Sequence, residues 1–253
     1  MECLSLTYEL NLDRNKRLLN QLKKVIIALN QIGIRPIIIK GAESLIQESS
    51  ISNGRMMNDI DIWVLERNNW SEIQKALESI SYKCEIDINT FDQEKEHHFP
   101  PFYNENEPAR LELHHRLIRP SLKYLLSEEI IKNRIIYHKK NDLEYGTISD
   151  IDCIALSYIQ SSHMSVPHFD TGMVPAMKWL DFIERFYNLK NKNKKYIHSR
   201  TEFSIIGTNE DIDNQLFTAL KKYFDFPYEG KLNNKYIDQK ELINNNPYKA
   251  EIG

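Results

Sequence analysis

Asp59 and Asp61 stand two residues apart in the run Asp59-Ile60-Asp61-Ile62-Trp63-Val64. In an extended chain alternate residues share a face, so both carboxylates point one way while Ile60, Ile62 and Val64 point the other. One face is core, and the other carries two like charges side by side. Such a pair repels, and without a partner one member tends to keep its proton. The usual compensations are a divalent cation, a basic side chain or full solvation. A hard cation such as Mg²⁺ suits carboxylates that also meet phosphate oxygens. An isolated Asp-x-Asp is most often a wet strand face, but here two further features stand upstream. Pro36 to Ile39 is a short apolar run ending at Lys40-Gly41, and Ala42 to Glu48 reads as the start of a helix. A strand feeding through a glycine into a helix presents backbone N–H groups in a corner that suits a phosphate. Gly41 lets phosphate approach the backbone, or is an ordinary strand-to-helix turn. Lys40 contacts phosphate, or is a solvated charge. Arg55 clamps phosphate, or pairs with Asp59 or Asp61.

The ordered set of a glycine after a strand (Gly41), then Arg55, then Asp59-Ile60-Asp61 on an apolar strand resembles the nucleotidyltransferase fold of the polymerase-β superfamily. In particular it resembles the branch labelled uncharacterised nucleotidyltransferases, over about residues 20 to 190. In that branch a Lys-Gly corner precedes an Arg, three spacer residues and an Asp-Ile-Asp strand. A later strand supplies a third acid just before a Leu-His pair, here Leu111-Glu112-Leu113-His114. One departure stands out. The wider superfamily favours Ser or Gly after the corner glycine, whereas Ala42 follows Gly41, so a hydroxyl contact to phosphate is missing and Ser44 is the candidate to replace it.

The resemblance implies a catalytic trio of Asp59, Asp61 and Glu112 that also binds metal, with Lys40, Gly41, Ser44 and Arg55 on the nucleotide. It implies Mg²⁺ or Mn²⁺, a nucleoside triphosphate substrate, and transfer of a nucleoside monophosphate to a hydroxyl with release of pyrophosphate. The acceptor stays open between a small molecule, a protein side chain and an RNA end. Glu112 shares its strand face with Arg110 and His114, so a salt bridge to Arg110 or Arg116 is its plain alternative role. Two other readings keep the same residues: an inactive nucleotide- or partner-binding module, which Ala42 supports, and a metal-dependent phosphohydrolase using the same acids with His114.

The expected architecture is α/β (α+β), a polymerase-β-like mixed sheet with helices over residues 1–148, followed by a smaller, mainly helical domain and tail over 149–253. Residues 1 to 12 read as an irregular lead-in. From Arg14 to Gln31, Leu18, Leu19, Leu22, Ile26 and Leu29 recur at helical spacing, and Gly33 ends the helix. Trp70 to Ile80 reads as a helix and Tyr82 to Ile88 as a strand. Pro100 and Pro101 bar Glu94 to Tyr103 from a central strand, leaving an edge strand or a loop. Arg110 to Arg116 alternates. Between Ile130 and Ile148 two β-rich runs flank Lys139-Lys140-Asn141-Asp142, which suits a hairpin. Ser149 with Asp152 three on is a capping-box variant that opens a helix to about Met164. Further helices are expected over 174–189 and 210–226.

A formal net charge of -3 leaves no footprint for strong general nucleic-acid binding. Cys3, Cys84 and Cys153 have neither metal nor redox spacing, so a reducing compartment is expected. The start has no leader pattern, and no apolar run approaches the length of a membrane span, so the expected place is the cytoplasm. His97, His98, His114 and His115 invite zinc, but adjacent strand residues face opposite ways and no His-Glu-x-x-His motif occurs. His163 and Asp181 match a recurrent pair of the resembled family, and a buried hydrogen bond between helices is the preferred role. The basic run Lys190, Lys192, Lys194, Lys195 and Arg200 reads as a solvated loop, and Trp179, Phe182 and Phe186 as core.

Overall fold

The computed structural model describes residues 2–47, 56–66, 70–84, 86, 91–92, 94–162 and 185, with the backbone alone at 2–5, 124–125, 151, 158 and 161–162. Arg55, His163, Asp181, the basic run from Lys190 to Arg200 and the helices expected over 174–226 lie outside the described residues, apart from Arg185.

Among the described residues, seven strands form one mixed sheet. They are β1 (Ile37–Ile38), β2 (Asp59–Trp63), β3 (Lys83–Cys84), β4 (Phe102–Tyr103), β5 (Arg110–His114), β6 (Ile136–Lys140) and β7 (Leu143–Thr147), in the order β3-β4-β5-β2-β1-β7-β6. β2 runs parallel to β5, and β1 runs antiparallel to β2 and parallel to β7. The alternation in β2 holds as expected: Ile60 and Ile62 are buried in the core while Asp59 is exposed on the other face. The helices are α1 (Glu2–Gln31), α2 (Lys40–Ile46), α3 (Trp70–Ser79), α4 (Glu128–Lys132) and α5 (Asp150–Ser162), with a 3-10 turn at Pro120–Leu125. This is a mixed α/β architecture, as the alternation of the elements indicated.

α1 is the backbone clamp of the sheet. Leu18, Leu22, Val25, Ile26 and Leu29 are fully buried against it. Three polar side chains on the same helix hold strand backbones. Arg14 Nε donates to the Met57 carbonyl just before β2 (3.1 Å), and Gln21 exchanges hydrogen bonds with Ala109 just before β5 (2.7 and 3.2 Å). Asn30 does the same with Glu144 of β7 (2.8 and 2.9 Å). The acid-bearing strands thus take their positions from one helix. Gly33, at φ +78°, ends that helix, and Gly33 N–H donates to the Asn30 carbonyl (2.9 Å).

Several expectations need correction. Residues 2–12 are helix, continuous with the predicted one; they contain no Gly or Pro to stop it, and Leu6, Tyr8 and Leu10 are exposed, which is why no apolar period marked them. α2 begins at Lys40 rather than Ala42, so Gly41 lies inside its first turn. Glu128–Lys132 is a short helix capped by Ser127, whose hydroxyl accepts from Ile130 N–H, so the first β-rich run starts only at Ile136. The segment from His97 to Tyr103 combines an isolated bridge between His98 and His114 with the two-residue β4, because the prolines prevent a longer ladder. The hairpin of β6 and β7 turns at Asn141 (φ 54°) and Asp142, and Ser149 caps α5 by accepting from Asp152 N–H (3.2 Å).

Gly146 of β7 pairs with Ile37 of β1, the strand that leads into α2. A Cβ there would stand 2.8 Å from Ile135 Cγ2 and 3.2 Å from Ile37 Cγ1. Gly146→Ala is therefore expected to lower stability by about 1–3 kcal/mol, as overpacking does. Urea unfolding of the two proteins measures it, and an equal midpoint would show that both isoleucines yield freely.

Candidate active site

Register alone brings two of the predicted acids together. Asp61 of β2 lies opposite Glu112 of β5, and Asp59 opposite Arg110. Residues paired across parallel strands share a face, so Asp59, Asp61 and Glu112 line the same side of the sheet. The burial is graded: Asp59 is exposed, Glu112 is half-buried and Asp61 is 4% exposed. Among the described residues, Asp61, Glu112 and His114 form the one group of possible ligands whose donor atoms all lie within 4.8 Å of one another. Asp59 stands beyond it toward solvent.

Asp61 is the electrostatic centre. The Lys40 ammonium donates to Asp61 Oδ1, and His114 Nε2 lies 2.8 Å from the same oxygen. Burial pushes the Asp61 carboxyl up, but Lys40 and the His114 hydrogen bond more than reverse this and hold it well below the usual carboxylate range. For Lys40, burial works against the charge, and Asp61, followed by Glu112 and Asp59, raises the ammonium above its ordinary value. Glu112 is pushed up, first by burial and then by the neighbouring Asp61 charge. The two neighbouring carboxyls are therefore shifted in opposite directions, Asp61 down and Glu112 up.

His114 is fully buried, and burial with the Lys40 charge brings its pKa down to about 4. The ring is neutral near pH 7. With a carboxylate oxygen at 2.8 Å, its proton belongs on Nε2, donating to Asp61. Nδ1 has no hydrogen-bond partner among the described residues. As it stands Nε2 orients Asp61; the same atom, 3.8 Å from Glu112, could ligate a cation only with the proton moved to Nδ1, where no described group accepts it. The carboxylates of Asp61 and Glu112 are the candidate oxygen ligands, and such a donor set fits a hard cation such as Mg²⁺ or Mn²⁺.

The histidine cluster is closer than strand alternation allowed. The rings of His97 and His98 stand 4.7 Å apart, and each lies near His114, at 5.2 and 5.3 Å. The segment is not a regular strand, so adjacent side chains need not oppose. The bridge to His114 places His98 on the acid-bearing face. His98 Nδ1 lies 2.8 Å from the Phe99 carbonyl, which only accepts, so Nδ1 carries the proton. Donor atoms of His97 and His98 do not join the group around Asp61, and no zinc-type cluster occurs among the described residues.

At the corner, the left-handed residue is Lys40 itself, with φ 56°. A non-glycine residue there costs about 1–2 kcal/mol, and it turns the Lys40 side chain toward Asp61. Ala42 is buried in the core at 1% exposure, so a side chain at that position lies away from the acids. Ser44 is also buried, and its hydroxyl accepts from Arg185 Nη2 at 2.8 Å. Arg185 further donates to the Lys40 carbonyl (2.9 Å) and forms an ion pair with Glu43 (2.7 Å), both side chains being at least nine-tenths buried. Sequence reasoning missed Arg185 altogether, since a single arginine 145 residues from its partner leaves no local signal. His114 was legible from the alternation, two residues beyond Glu112 and on its face, but its bond to Asp61 was not.

A pH dependence follows from His114. In the unfolded chain it takes a proton below about pH 6.5, whereas in the fold it stays neutral to about 4. The unfolded state binds more protons in that window, so stability falls as pH falls from 6.5 to 4, by roughly 3 kcal/mol at the ceiling. His97, also lowered by burial, acts in the same sense; Glu112, raised, opposes it above pH 4.5. Urea unfolding with a chelator present should show a flatter profile for His114→Gln than for wild type between pH 6.5 and 4. Parallel profiles would place the titration elsewhere.

Among curated proteins no match is found. The solved structure of the antibiotic-resistance factor ANT(2'')-Ia is similar in fold, with a TM-score of 0.50 at 10% identity, covering 82% of this chain and 97% of that one. The sequence profile of the family described as "Uncharacterised nucleotidyltransferase" matches residues 2–166, which take in the whole sheet, the Lys40 corner and all three acids, and the chain belongs to that family.

Proposed function

We propose that the chain transfers a nucleoside monophosphate from a nucleoside triphosphate to a hydroxyl of an acceptor molecule and releases pyrophosphate. The observation that carries this reading is the Asp61–Glu112 pair, opposite one another on parallel strands, with Asp59 on the same face. A divalent cation, Mg²⁺ or Mn²⁺, held by Asp59, Asp61 and Glu112, would supply neutralisation of phosphate charge. Asp61, kept ionised by Lys40 and His114, is its firmest anchor. Asp59, on the same face and exposed, is accessible to a triphosphate arriving from solvent. Glu112, as a carboxylate beside Asp61, is suited to receive the proton leaving the acceptor hydroxyl. The new bond forms between that hydroxyl oxygen and the α-phosphorus, and the bond to pyrophosphate breaks. Lys40 at the same wall, with Gly41 behind it and Arg55 upstream, is the cationic surface for phosphate.

The acceptor class is open among small molecules, protein side chains and RNA ends. The absence, among the described residues, of a helix long and apolar enough to cross a membrane fits a reading in which the chain acts in the cytoplasm. The free Cys84 and Cys153 fit it too. The residues from 149 onward are proposed as a second, mainly helical domain that shapes the acceptor pocket.

The test uses α-labelled nucleoside triphosphates with Mg²⁺ or Mn²⁺, offered with cell extract and with the protein alone. Asp61→Asn and Glu112→Gln should each lower label transfer by about 100-fold or more, as loss of a group stabilising developing charge does, while unfolding curves show the fold intact. The double variant should be little worse than either single one, because the acids act as a unit. Wild-type turnover in folded acid variants would sink the reading. Nucleotide binding without transfer would favour a binding module, and release of free phosphate a phosphohydrolase.

A further inference from the structure

Lys40 is held in a backbone conformation that a lysine does not choose, and the group holding it comes from far along the chain. Its φ of 56° is in the left-handed region, at the junction where β1 turns into α2. A residue persists there only where its surroundings over-determine it. The surroundings are on view. The Lys40 carbonyl accepts from Arg185 Nη2 at 2.9 Å. The same guanidinium donates to Ser44 Oγ at 2.8 Å, one turn further along α2, and its Nη1 meets Glu43 Oε2 at 2.7 Å. Three attachments to three residues of one short helix, from a planar group that cannot lose its charge, fix the orientation of that helix start as well as its position. The arginine and glutamate side chains are 10% and 4% exposed, so this is no surface pairing that solvent would screen.

What the clamp controls is on the other side of the same residue. While the Lys40 carbonyl faces Arg185, the Lys40 ammonium reaches Asp61 Oδ1 and stands 3.3 Å from His114 Nε2. A change at the Lys40 peptide would swing the amine away from the acid pair. Arg185 touches neither Asp61 nor Glu112 in any described contact; its reach to the site runs through Lys40.

We propose that Arg185 is a positioning residue of the active site, a clamp that fixes the left-handed Lys40 corner and thereby seats the Lys40 amine on Asp61. The proposal rests on the nucleotidyltransferase reading for its purpose, since a seated amine is what would meet substrate phosphate. It stands on the contacts alone for its geometry. It also gives the chain beyond the family-matched region a direct share in forming the catalytic corner.

Competitive acetylation with trace acetic anhydride, read lysine by lysine by mass spectrometry on the folded full-length chain, tests the clamp without any turnover. In the wild type Lys40 should react slowly beside Lys24 and Lys139, which are exposed. In Arg185→Gln, Lys40 should react about fivefold faster or more, the change expected when a strained residue is let go, while Lys24 and Lys139 keep their rates. Glu43→Gln leaves the arginine its two hydrogen bonds and should give a smaller rise, and it decides the question should Arg185→Gln not fold. An unchanged Lys40 rate in the folded variant overturns the proposal, as does a rise of all lysines together, which would mean general loosening. Failure of the wild type to transfer nucleotide would count against the proposed activity and leave this readout intact.

Discussion

The structure depends on a charge that has been placed where it does not belong. Asp61 is all but removed from water on a central strand, beside a second carboxylate on the neighbouring strand. A buried carboxylate without compensation would take up a proton. Here it stays ionised because an ammonium and an imidazole N–H both address one of its oxygens. Removing one partner from a buried pair costs about 3–5 kcal/mol, while replacing the whole arrangement with apolar residues is often neutral or better. Stability alone is therefore a weak reason to keep it.

Much of this was written in the sequence, but at different depths. The alternation in Asp59-Ile60-Asp61-Ile62 is local, and it gave both the strand and the face. The apolar period from Leu18 to Leu29 gave the main helix, and Gly33 its end. The pairing of β2 with β5 was not local. Nothing in Arg110–His114 says which strand it lies beside, and that neighbour came from likeness to a family rather than from the residues. Polar residues within the helix were the quietest signal. Arg14, Gln21 and Asn30 look like an ordinary wet face, yet each reaches a strand backbone and fixes where an acid or its supporting strand must lie.

The corner shows how a correct motif can carry the wrong detail. Gly41 had two readings, close approach of phosphate to the backbone or an ordinary strand-to-helix turn, and glycine adopts left-handed backbone at little cost. The turn is made by Lys40 instead, and Gly41 follows inside the helix. The cost of left-handed lysine is met by contacts from residue 185, which no reading of the local sequence reveals. Ala42, the departure that weakened the motif, is buried in the core. Its missing hydroxyl concerns packing, not the acid wall.

The reach from Lys40 to Arg185 also has a meaning in time. A chain leaves the ribosome from its N-terminus at about 5–20 residues per second, and domains fold as they emerge. The seven strands of the described residues are complete by Thr147, so they and both acid-bearing strands can assemble before the arginine has been made. The corner is then the last part of the site to set, because the contact that holds it closes the longest loop among the described hydrogen bonds. A nascent chain of this protein would carry its acids in place well before it carried its lysine in place.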